Sequence, residues 1–282
     1  MTTALPAGVA AARPVRQVIA RFFDRWSLIV YTLLAVIYLL LPVAVIVLFS
    51  FNDPRGKSNF VWQGFTVKYW LDPLGPLGLS DAVTLSLVIA FLSTAIATAL
   101  GTLIALALER YSFRGKGVMN SLIFLPMATP EIIMGASLLT MFVSIGTPPF
   151  FPLNFLTILI AHVMFNISYV VVTVRARLAG FPRHLEEAAG DLYANEWATF
   201  WKVTFPLIFP GILAAALLAF SLSIDDFVVT NFTSGLTNTF PIWVWGSIRN
   251  SLPVQINVVG TMIFGAAVLL VLGSTLLQRR GH

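Results

Sequence analysis

The chain has 282 residues, of which 58% are hydrophobic and 10% charged, whereas an ordinary soluble domain carries about 25% charged residues. Its formal net charge of +5 sits at the ends of apolar runs and lines no polar face, which argues against a nucleic-acid partner. With no cysteine, and with His162, His184 and His282 far apart, no disulfide, metal site or resident cofactor is expected.

A basic cytoplasmic tail is predicted over residues 1–25, where Pro6, Pro14 and many alanines leave no sustained apolar face. The apolar stretch that follows exceeds 20 residues, too long for the core of a cleaved signal peptide, so it reads as a retained helix. A crossing needs about 20 apolar residues, because lipid offers no partner to a backbone amide. Six stretches qualify, near residues 27–51, 82–108, 118–145, 152–174, 207–232 and 256–277, with kinks expected at Pro42, Pro126 and Pro130. Together they make one membrane domain over residues 26–278, followed by a cytoplasmic end at 279–282.

Cytoplasmic loops retain Lys and Arg. Arg13, Arg16, Arg21 and Arg25, then Arg110, Arg114 and Lys116, then Arg175, Arg177, Arg183 and Lys202, and finally Arg279 and Arg280 fall on one side, against Arg55, Lys57, Lys68 and Arg249 on the other. Both termini are therefore expected in the cytoplasm of an inner (plasma) membrane. The loops around 52–80 and 233–255 then face outward, with Trp62, Trp70, Trp243 and Trp245 as interfacial aromatics.

The longest cytoplasmic break, residues 175–206, places Glu186, Glu187, Asp191 and Glu196 among alanines and aromatics. Residues 182–193 read as one short helix. Asn195 is suited to cap a second, with Glu196 at its positive end. Composition alone would fit a solvated connector. However, the run Glu187-Ala188-Ala189, followed by Val203-Thr204-Phe205-Pro206, resembles the loop by which ABC-importer permeases engage their ATPase subunits. That resemblance implies a coupling loop at 177–206, with Glu186, Glu187, Ala188, Ala189, Asp191 and Pro206 as its ATPase-coupling residues. Tyr193 departs from the pattern, which has glycine where the first helix ends; tyrosine does not suit a left-handed cap, so a differently built turn or a longer helix is expected.

Further runs extend the likeness over nearly the whole chain after Trp26: Val61-Trp62-Gln63-Gly64-Phe65-Thr66, Arg110-Tyr111-Ser112-Phe113-Arg114-Gly115-Lys116, Thr129-Pro130-Glu131-Ile132-Ile133-Met134 and Leu222-Ser223-Ile224-Asp225-Asp226-Phe227. They resemble the spermidine and putrescine importer permeases, above all the second of the two permease subunits. The resemblance implies an all-α membrane protein of the type I ABC-importer permease architecture, with six transmembrane helices and a coupling helix between the fourth and fifth. It also implies several partners: a second homologous permease, a dimer of ATPases that binds the ATP and magnesium, an extracytoplasmic polyamine-binding protein and membrane lipid.

Three acids fall inside apolar spans: Glu131, Asp225 and Asp226. Each costs roughly 2.5 to 3.5 kcal/mol near the centre of an inserting helix, so each needs a polar surrounding or a role. Adjacent helical residues point about 100 degrees apart, so one aspartate is expected at a substrate pathway and the other at a helix contact. Glu131 follows Pro130 and also suits the start of a restarted helix. The expected arrangement is an acidic constriction of Glu131 and one aspartate, with Phe227 or Trp243 beside a cationic substrate.

Two alternatives remain at this level: an importer of another small solute, or a secondary transporter in which the acids relay protons. Gly56-Lys57-Ser58 ends like a phosphate loop but lacks the preceding strand and glycine. No nucleophile, histidine and acid set stands at recognisable spacing, so the chain reads as a transport subunit and not an enzyme.

Overall fold

The computed structural model describes residues 15–182 and 184–280; the predicted tail up to residue 14, together with Arg183, lies outside them. The described chain is helical, with a single isolated bridge between Asn52 and Phe65. It divides into two compact units, Met1–Pro73 with Pro253–His282, and Leu74–Leu252.

In the first unit, α1 (Val15–Phe49) runs through Pro42 and packs with α12 (Gln255–Arg280), and α2 (Lys68–Leu71) adds one short turn. Where the two long helices meet, a Cβ at Gly260 would lie 3.6 Å from Ile46 Cγ2. Between α1 and α2 the chain folds into a knot around Asn52. The Asn52 amide donates to Asn59 Oδ1 at 2.6 Å and to the Val61 carbonyl at 2.8 Å, and its Oδ1 accepts from the Gln63 amide at 2.8 Å. Phe51 stacks against both Phe65 and Trp70.

The second unit is built on α3 (Leu79–Arg110), α6 (Phe155–Ala179) and α9 (Phe205–Ile224). Apolar burial gives little drive between helices in lipid, so close backbone approach through small residues must hold them. The sequence provides this: Ala90, Ser93, Ala97, Gly101 and Ala105 are buried along one face of α3, and Ala215, Ala219 and Ser223 along α9. A Cβ at Gly101 would come within 2.6 Å of Val170 Cγ1 on α6, so even one methyl there would force the helices apart.

The predicted third span is two helices, α4 (Lys116–Ala128) and α5 (Glu131–Ile145), bent by 108°. Pro130 is the cause. It forces Thr129 into an extended conformation, φ −83° and ψ 131°, and helix restarts at Glu131. The predicted fifth span is also broken: α9 stops at Ile224 and α10 (Val228–Thr233) begins after Asp225-Asp226-Phe227; α11 (Phe240–Asn250) follows. Among the described residues, four stretches are long and apolar enough to cross a membrane unaided, Trp26–Phe49, Leu79–Arg110, Phe155–Ala179 and Glu196–Ile224, and the bent pair is a fifth if taken as one span. The sixth predicted crossing falls on α12, whose described apolar stretch, Gln255–Leu269, is shorter.

Between α6 and α9 lie α7 (His184–Asp191) and α8 (Glu196–Thr199), the latter capped as expected by Asn195, whose Oδ1 accepts from the Ala198 amide at 2.8 Å. A π-helical turn, Phe200–Thr204, joins α8 to α9 without interruption. Pro206 explains it: lacking an N–H and crowding the carbonyl four residues back, proline cannot follow a regular turn, and the Phe205 amide bonds the Phe200 carbonyl instead. The end of α7 differs from expectation. Tyr193 has φ 61°, and the Ala194 amide bonds the Ala189 carbonyl at 3.0 Å. Tyrosine thus occupies the left-handed position of a glycine-type cap. Its side chain is 99% exposed, so its Cβ meets no tertiary obstacle.

Candidate functional site

Both helix breaks of the second unit open onto one cavity of about 580 Å³. Pro126, Thr129, Pro130 and Glu131 supply one wall, Asp225, Asp226 and Phe227 another, and Phe165 and Tyr169 of α6 the floor. Glu131 is the first residue of α5, where the helix dipole favours an anion, and it is exposed to the cavity. Glu131, Asp225 and Asp226 thus line one space.

The aspartates divide their roles. Asp226 is buried, its side chain 7% exposed, and its carboxylate accepts from the Thr230 amide at 2.8 Å, the Thr230 hydroxyl at 2.7 Å and the Val229 amide at 3.4 Å. It satisfies the free amides that open α10 and so creates the break. Asp225 is exposed into the cavity. Phe227 lines the same cavity, tilted against Trp245 at 5.2 Å between ring centroids. Trp243 is placed elsewhere: its indole donates to the Leu77 carbonyl at 3.2 Å, and it packs on Gly78.

One residue escaped the sequence reading. His162 on α6, 2% exposed, places Nδ1 2.6 Å from Ser223 Oγ and Nε2 2.8 Å from Thr230 Oγ1, with Asp226 Oδ2 3.4 Å away. Ser223 continues the chain to Ser93 of α3 at 3.0 Å. The available signal was Ser223 three residues before Asp226 and Thr230 four after it, polar positions at helical spacing in an apolar span.

The segment between α6 and α9 shows a second division between neighbouring acids. Glu186 turns inward: Arg110 forks onto its carboxylate, with Nη2 2.5 Å from Oε1, and the Thr204 hydroxyl donates to the same oxygen. The Arg110 guanidinium lies 5.1 Å over the Phe181 ring. Glu187, Ala188, Asp191 and Pro206 are exposed, and Ala189 is half-buried.

This chain belongs to the family described as binding-protein-dependent transport system inner membrane component, whose model matches residues 97–279. It is a multi-pass membrane protein and a transport subunit. Among individual relatives, it is 35% identical over 243 residues to the spermidine/putrescine transport system permease protein PotC of Escherichia coli K12, covering 86% of this chain and 90% of that protein. It is 38% identical over 242 residues to the putrescine transport system permease protein PotI of the same strain, covering 84% and 85%. In fold it is similar to the crystal structure of a bacterial ABC transporter that imports the acidic polysaccharide alginate, with TM-score 0.71 at 14% identity over 94% of this chain and 98% of that one. It is also similar to the inward-facing MetNI methionine ABC transporter, with TM-score 0.58 at 15% identity over 76% and 98%. The all-α importer-permease fold read from the sequence is thus the observed one, with four or five of the six expected crossings long and apolar enough among the described residues.

Proposed function

We propose that this chain is one of two permeases in an ATP-driven importer of polyamines, and that the acidic cavity is its cation pathway. The observation that carries the reading is the convergence of Glu131, Asp225 and Phe227 on one space between two broken helices. Two free carboxylates attract ammonium groups spaced along an alkyl chain, and an aromatic face accommodates both the methylenes and the charge. A fold shared with an importer of an acidic polysaccharide leaves the cargo to be read from the cavity, whose acidic lining suits a cation.

In this reading both termini are cytoplasmic and the chain crosses six times. The segment from α7 to Pro206 docks on a partner ATPase that binds ATP and magnesium, and an extracytoplasmic binding protein delivers the polyamine to the outer face. Glu187, Ala188 and Asp191 are free to meet the ATPase, whereas Glu186 transmits force inward through Arg110 to α3 and through Thr204 to α9.

The test is transport of spermidine into vesicles holding the whole assembly at saturating binding protein. Asp225→Asn and Glu131→Gln should each lower turnover about tenfold, the effect of losing one charge-assisted contact. Unchanged turnover in the doubly neutralised chain would refute the cation pathway. Transport persisting without any ATPase would point to a secondary transporter, and stimulation only by a different solute would reassign the cargo.

A further inference from the structure

We infer that His162 is a positioning residue, whose single imidazole clamps both sides of the α9–α10 break and thereby fixes where Asp225 stands in the cavity. Ser223, its Nδ1 partner at 2.6 Å, lies in the last turn of α9. Thr230, its Nε2 partner at 2.8 Å, lies in α10. His162 itself belongs to α6, an unbroken helix of 25 residues. The ring therefore ties two short-range movable ends to a fixed reference, and the three residues between Ile224 and Val228 must follow.

The hydrogen bonds fix the direction at Thr230. The Thr230 hydroxyl donates to Asp226 at 2.7 Å, so its oxygen accepts from Nε2–H of His162. Nδ1 shares a hydrogen bond with the Ser223 hydroxyl, which is bonded in turn to the Ser93 hydroxyl of α3, and Ser93 also reaches the Ala90 carbonyl at 3.2 Å. Each of these bonds is buried, where an unmet polar group is costly. Removing the ring frees Ser223 and Thr230 at once, so the break loses its angle while Asp226 keeps its own cap on α10.

This inference rests on the cation-pathway reading only for its functional consequence; the clamp can be measured directly. The chain has no native cysteine, so Leu217→Cys on α9 and Asn231→Cys on α10, both at the surface of the chain, accept a spin-label pair in the assembly built with cysteine-free partners. A narrow distance distribution is expected in the parent. His162→Leu should broaden it, and His162→Gln, which retains a donor and an acceptor, should restore it. Thr230→Val, which releases one side only, should broaden it less and serves where His162→Leu does not assemble.

Spermidine turnover should fall about tenfold in His162→Leu, and that loss should vanish when Asp225 is already Asn. Unchanged distances, or broadened distances with unchanged turnover in the chain that still carries the native Asp225, would overturn the clamp. If Asp225→Asn alone has no effect on turnover, the cation pathway fails, and the clamp is then decided by the distances.

Discussion

Two neighbouring pairs of acids, Asp225-Asp226 at the cavity and Glu186-Glu187 in α7, are built on the same plan. In each, one member turns inward and holds helices together, while the other faces open space. Asp226 meets α10 and the His162 network, and Glu186 meets Arg110 and Thr204. Asp225 and Glu187 have only the solvent side to serve. Successive residues on a helical path diverge by about 100 degrees, so an acidic doublet at a helix end supplies a fastening and a contact from adjacent positions. The doublets differ in setting: Asp226 is almost sealed from solvent, whereas Glu186 keeps about a fifth of its side chain exposed.

That difference ranks the effects of mutation. Asp226→Ala should cost the most, about 3 kcal/mol, because it strips the start of α10 of its acceptor and leaves buried donors unmet. Thermal unfolding of the purified chain in detergent would measure it, with Asp225→Asn as the control expected to unfold like the parent. Next, Glu186→Ala should cost about 1.5 kcal/mol, reduced by partial solvent screening, and should lower ATP-dependent transport. Glu187→Ala should lower transport with stability untouched. An equal loss of stability in both members of either pair would break the comparison.

The smallest effect is expected at Tyr193. Replacing it with glycine relieves a left-handed backbone at a fully exposed site, a gain of about 1 kcal/mol offset in part by the greater freedom of glycine in the unfolded chain. A melting temperature that falls in Tyr193→Gly would show that the tyrosine side chain has an energetic role beyond its backbone.

The apolar helices were legible because hydropathy over some twenty residues is a strong, local signal. Charged residues inside those runs marked the cavity for the same reason, since their cost demanded a polar setting. What the sequence left open was decided by contacts between distant residues. Which aspartate faces the cavity depends on His162, more than 60 positions away in sequence. The breaks at Pro130 and Asp225 were read as a kink and as continuous helix, because the apolar pattern runs on through both. Trp243 is the tryptophan expected beside the substrate, yet it bonds the Leu77 carbonyl, and it is Trp245 that meets Phe227. The Tyr193 turn was misjudged because a preference against left-handed tyrosine is worth only about 1 kcal/mol, less than the two helices on either side impose.

The π turn before Pro206 keeps Glu196 to Ile224 in one piece, a rod of 29 residues and about 40 Å. Its lower end sits beside the exposed face of α7, and its upper end stops at Asp225. A lever of that length, pivoted near its base and tilted by about five degrees, sweeps its tip through about 3 to 4 Å, roughly the width of a hydrogen-bonded contact. A shove too small to unpack the bundle is thus enough, in the proposed pathway, to hand a cation from one oxygen to the next.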